Sequence, residues 1–139
     1  MHLEPLVSAL ACLGLALLFA VLAVWSRRGR SRAARWWVRR IPIEHANSYS
    51  SASEAIALAL LPYGAQLHMV AGLLVLAHQS LREAVFGPLA GTVVIGEVLL
   101  GIAVTVPLAH RYVLPLPLYP AWLQPQRRAE RDHLAAQRH

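Results

Sequence analysis

Glu97 is the one acidic side chain deep inside an apolar run of this chain, and His68 is the one histidine set as deep in another. A carboxyl group beside an imidazole can hold and pass on a proton or bind a cation, because imidazole changes charge close to neutral pH. Glu97 lies nine residues after Pro88, and His68 ten before His78. At 1.5 Å per residue both sit roughly 14–15 Å below the turn joining their segments. Gly64, His68 and Gly72 share one helical face, and Glu97, Gly101 and Thr105 share another. The spacing therefore predicts an intramembrane polar pair, Glu97 facing His68. It would be either a proton- or cation-handling device or a structural contact in which a neutral Glu97 bonds to His68, Gln66 or a backbone carbonyl.

Other chemistry finds little support. His45 and His110 fall near one predicted interface, and two histidines at one depth can ligate a b-type haem. No HxxxH, ExxH or cysteine-containing spacing accompanies them, so neither metal nor cofactor is expected. His78 reads as a polar boundary residue. Cys12 is the only cysteine, which excludes an internal disulfide or CxxC site. There is no GxSxG, no HExxH and no phosphate-binding glycine loop, and an enzyme is not expected.

The elements that must position Glu97 and His68 are three apolar stretches, residues 3–25, 54–77 and 89–110. Each passes the ~18-residue threshold for crossing a hydrocarbon core roughly 30 Å thick. A chain of 139 residues could not bury three such helices, apolar on nearly every side, in a soluble core. With 57% hydrophobic and 14% charged residues the composition agrees. The fold class expected is an all-α integral membrane protein, a single membrane domain over residues 1–139. Its parts are a first loop at 26–53, a short turn at 78–88 and a tail at 111–139.

All 13 basic side chains are arginine. Arg27, Arg28, Arg30, Arg32, Arg35, Arg39 and Arg40 follow the first stretch, Arg111 ends the third, and Arg127, Arg128, Arg131 and Arg138 lie in the tail. Only Arg82 lies between the second and third. Positive residues collect on the cytoplasmic side, which predicts the loop and tail inside and the N-terminus outside. Trp25, Trp36, Trp37, Tyr112, Tyr119 and Trp122 fall at the same interface, where aromatic rings prefer to sit. Residues 1–5 carry Glu4 and no arginine, so the first stretch reads as a retained anchor and not a cleaved signal. A cytoplasmic membrane of a bacterial cell is the expected location.

Residues 27–40, with Trp36 and Trp37 among the arginines, suit contact with the anionic inner leaflet better than nucleic acid. Ser8, Cys12, Ala16 and Ala20 recur every four residues as a small-residue packing stripe, and Gly64, Gly72 and Gly101 add further close-approach points. Ser51 and Glu54 have capping-box spacing at the start of the second stretch. Pro62 predicts a kink within it, or a break. Pro115, Pro117, Pro120 and Pro125 predict an extended run over 114–125, with residues 129–139 a loose helix or disordered. The function expected is a non-enzymatic accessory or self-associating membrane component, acting with itself or within a larger complex. The alternatives are a proton- or cation-coupled carrier using Glu97 and His68, and a pore former that resembles holins in size, span number and charged tail. The long basic first loop departs from the compact holin pattern.

Overall fold

A computed structural model describes residues 3–38, 52–109 and 116–136. Arg39, Arg40, His45, Ser51 and His110 lie outside the described residues, and with them the haem alternative and half of the capping box. The described chain is all-helical and has three helices long and apolar enough to span a membrane. Helix α1 covers Leu3–Arg28 and the short α2 covers Arg32–Val38. The second long helix begins as α3, Ala52–Ala55, continues through a π-helical turn at Ile56–Leu60 and becomes α4, Leu61–Ser80. Helix α5 covers Glu83–Ala109, a 3-10 turn covers Leu116–Leu118, and α6 covers Gln124–Ala136.

Helix α4 lies between α1 and α5, antiparallel to both. Ala9 and Leu13 of α1 meet Gly72, and ten residues along from Ala9 the ring of Phe19 meets Gly64. The buried residues of α1's apolar run are Ala9, Ala16 and Ala23, a spacing of seven. This corrects the expected stripe. Steps of four advance about 40° each around a helix, so Ser8, Cys12, Ala16 and Ala20 wander by about 120°, whereas a heptad drifts only ~20°. Ala16 is common to both patterns, Cys12 and Ala20 are half-buried flanks, and Ser8 is exposed, its hydroxyl donating to the Glu4 carbonyl at 3.0 Å.

Pro62 neither breaks the second long helix nor interrupts its apolar run, which continues from Ser53 to Ser80. The irregularity takes the form of the π turn: the N–H of Leu61 bonds to the Ile56 carbonyl, five residues back. In a regular helix the N–H of residue 62 would serve the carbonyl of Leu58, and proline has none to give. Arg27 donates instead, its Nη2 lying 3.2 Å from that oxygen. One arginine of the basic segment is thereby committed to holding α1 against the irregular turn.

The turn between α4 and α5 is two residues, Leu81 and Arg82, and not the expected 78–88. The N–H groups of Val85 and Phe86 both bond to the Arg82 carbonyl at 2.9 Å, so α5 starts at once and runs through Pro88. The rings of His78 and Phe86 pack across the turn, 4.7 Å apart. The tail departs from expectation too. Its prolines make turns, with Leu123 N–H bonded to the Pro120 carbonyl at 2.8 Å, and Pro125 falls in the first turn of α6, where a missing N–H costs nothing.

The one buried hydrophobic cluster among the described residues lies at the arginine-rich end. Val38, Ala57, Leu58, Tyr119 and Leu123 form it, with Trp37 and Trp122 packed against it. Arg127 of α6 is buried there between two carboxylates. Its Nε and Nη2 donate to Glu54 and its Nη1 to Glu130 at 2.9 Å, while its guanidinium sits 5.3 Å from the Tyr119 ring centre. Across the chain, Trp122 Nε1 donates to the Arg27 carbonyl at 3.0 Å. The end of α1, α2, the start of the second long helix and residues 119–130 are joined into one folded unit.

Candidate functional site

Two regions bear polar chemistry. The first lies between α4 and α5. Tyr63 and Gln66, three residues apart, project from one face of α4. Among the described side chains of α5 the half-buried ones are Phe86, Ala90, Val93, Glu97, Gly101 and Val104, spaced three or four apart, which marks the face toward α4. Gln66 Nε2 donates to the Glu97 carboxylate, and the Tyr63 hydroxyl donates to the Glu97 backbone carbonyl at 3.2 Å. Gly101 makes the second contact possible, since a Cβ there would stand 2.6 Å from the Tyr63 oxygen. Thr105, on the same face, donates to the Gly101 carbonyl at 2.7 Å. A cleft of about 290 Å³ borders the cluster, lined by Leu67, Val70 and Leu74 on one side and Val93, Val94 and Val98 on the other.

His68 is not part of this cluster, and the expected Glu97–His68 pair is corrected to Glu97–Gln66. His68 turns toward α1, where its ring meets Phe19 edge-on at 5.2 Å and its Nδ1 lies 2.8 Å from the Gly64 carbonyl. The tight turn is the physical reason. Gln66 lies fifteen residues before Leu81 and Glu97 fifteen after Arg82, so a hairpin closed at 81–82 puts those two at one depth. His68, two residues on, points about 200° away around the helix. Gly64, His68 and Gly72 do share a face, and it belongs to α1.

Two acceptor oxygens at the cluster, Gln66 Oε1 and Glu97 Oε2, are buried with no hydrogen-bond donor among the described residues. A proton on Glu97, a small cation or a donor from another chain would each satisfy that arrangement.

The second region is the arginine-rich end. Its basic residues divide by use. Arg27 serves the Leu58 carbonyl, and Arg35 Nε donates to the Gly29 carbonyl. Arg28, Arg30 and Arg32 are exposed and have no hydrogen-bond partner among the described residues. Trp37 packs against the buried cluster and against Trp25, ring centres 6.2 Å apart, while Trp36 is exposed. Among the described residues there is no group of three or more metal-ligating side chains.

Local spacing does not reveal the contacts that Tyr63 and Trp122 make, or the grouping of Glu54, Arg127 and Glu130. Tyr63 and Gln66 carried a usable signal, two polar side chains at i, i+3 in an apolar helix. Glu54 and Arg127 are 73 residues apart, and nothing local links them. No family model, no curated protein and no solved structure matches this chain.

Proposed function

We propose that this chain is a three-span membrane protein, N-terminus outside and tail inside, that acts as an accessory or self-associating component and catalyses no reaction. The observation that carries the reading is the state of α5. No residue in its most apolar window is buried. At Gly87, Gly91 and Gly96 an added Cβ would meet nothing, whereas at Gly64 and Gly72 it would press on α1. Between helices in lipid, apolar area is no driving force, so small residues and polar contacts decide association. Helix α5 holds both, and against the described residues it uses the polar cluster and Gly101 but leaves Gly87, Gly91 and Gly96 open. Solubilisation in mild detergent followed by affinity capture should recover one stoichiometric partner or a second copy of the chain. A chain recovered alone at every detergent concentration would sink the proposal. Reporter fusions after Phe86 and at His139 should give opposite signals, the first external, and matching signals would overturn the orientation.

A second reading, proton or cation handling at Glu97, is favoured by the two donor-less oxygens beside it. It now stands on Glu97 and Gln66 without the imidazole. An ion flux into liposomes that Glu97→Gln abolishes, with the fold intact, would select it over the first.

A further inference from the structure

Where α1 gives way to α2, an open groove of about 520 Å³ changes character along its length. One end is apolar, lined by Ala20, Val21 and Val24. The other carries Arg28, Arg30 and Ser31, with Trp25 between. From Ala20 to Arg28 the helix rises about 12 Å, so the groove runs from the apolar part of α1 to its charged end. Val21, Val24 and Trp25 are 56%, 47% and 38% exposed, so this wall is left open among the described residues.

The cationic end is built, not loose. Gly29 turns the chain between Arg28 and Arg30 with φ +55°, a conformation that favours glycine. Its Cα faces the Trp122 indole so closely that any Cβ would collide with the ring. Arg35 holds the Gly29 carbonyl from one side, and Trp122 holds the Arg27 carbonyl from the other. Ser31 accepts the N–H of Ala34 at 3.1 Å, which leaves its hydroxyl proton to donate. Trp25 is braced by Trp37. Two guanidinium groups with no hydrogen-bond partner among the described residues and one hydroxyl therefore share a fixed turn above an apolar trough.

We infer that this groove binds one anionic glycerophospholipid, its phosphate on Arg28, Arg30 and Ser31 and its first acyl carbons along Ala20, Val21 and Val24. The chemistry fits each end: guanidinium groups grip phosphate through paired N–H donors, and an indole at the boundary suits the glycerol level of a bilayer. The inference rests on the membrane reading above and goes beyond general attraction of arginines to an anionic surface. It assigns the contact to two of the arginines and excludes the others.

The test is native mass spectrometry of the full chain in detergent with phosphatidylglycerol or phosphatidylcholine added. One phosphatidylglycerol should be retained per chain under conditions that strip phosphatidylcholine. R28A/R30A should weaken that retention roughly tenfold or more. R32A/R131A removes the same charge from exposed positions outside the groove and should leave it unchanged. Val21→Trp, which fills the trough and keeps every arginine, should also weaken it. Equal losses in the two arginine pairs would show diffuse attraction and overturn the site, as would displacement of the lipid by glycerophosphate alone. A chain that resists carbonate extraction yet shows no preference for phosphatidylglycerol loses the site only. One that carbonate releases loses the membrane reading with it.

Discussion

At the arginine-rich end, Val38, Ala57, Leu58, Tyr119 and Leu123 close around a buried arginine, drawing on residues from α2, the π turn and the tail. Along α5 no residue of the apolar window is buried, and the helix meets α4 through Tyr63, Gln66 and Glu97. The difference is the one the proposed membrane setting would produce. Where water reaches the chain, apolar side chains gain by leaving it, and a core forms even from segments far apart in sequence. A helix surrounded by lipid gains nothing from apolar contact, since lipid tails are as apolar as leucine, so polar groups and close backbone approach must hold it. Helix α1 lies between these limits, sealed to α4 by alanines and glycines and pinned at one end by Arg27.

The largest test removes the charge at the centre of the folded end. Arg127→Ala leaves Glu54 and Glu130 buried without their shared partner, and such a loss costs about 3–5 kcal/mol. Thermal unfolding in detergent should shift accordingly, and limited proteolysis should release the segment containing α6 before any cut occurs in α1. A variant that resists protease as the parent does would mean that α6 is held without its buried ion pairs.

Next in size is the seam between α1 and α4. A side chain at Gly72 would start 3.0 Å from Leu13 Cγ and 3.2 Å from the Ala9 carbonyl oxygen, and the backbone atom cannot swing aside. Gly72→Leu should cost about 1–3 kcal/mol, the usual range for overpacking. If it proves neutral, the seam is looser than the contacts of Ala9 and Leu13 imply.

These two regions were unequally legible in the sequence. Three long apolar helices could be read directly, because length and hydropathy suffice. The hairpin was also legible, but its register hung on where the turn closed. Placing the turn at 78–88 made His68 the partner of Glu97, while closure at Leu81 and Arg82 selects Gln66. One residue at the turn becomes two at the site. On α1 the small residues at a four-residue step share only Ala16 with the seam, which follows a seven-residue step through Ala9 and Ala23. The folded end was legible only in that Trp37, Tyr119 and Trp122 are expected at one end of the molecule, not in how they pack. Prolines over 114–125 suggested an extended strap, and no local pattern could bring Arg127 to Glu54 across 73 residues.

A smaller effect separates the polar contact from the rest of the α4–α5 seam. Glu97→Leu strands Gln66 in an apolar setting and should cost about 1–3 kcal/mol, whereas Glu97→Gln keeps a hydrogen-bonding group and should be tolerated. Cysteines at 66 and 97 in a Cys12→Ala background should cross-link, as should cysteines at 19 and 68, while 68 with 97 should not. Efficient cross-linking of 68 to 97 would restore the pair that the two-residue turn rules out.

The smallest expected effect on the isolated chain is at Gly87 and Gly91. Both are exposed, and a Cβ at either would meet nothing within 4 Å. Replacing both by leucine removes two poor helix formers and adds apolar surface that lipid solvates well. The purified chain should therefore be no less stable than the parent, in contrast to Gly72→Leu on the other side of α4. What should change is association. If α5 presents its open glycines to a partner helix, two leucine side chains hold the backbones apart, and the partner or second copy should no longer be captured. Undiminished stability with lost capture is the outcome that ties the exposed face of α5 to its proposed role. Unchanged capture would move the contact to another face of the chain and leave the open glycines with no role in association.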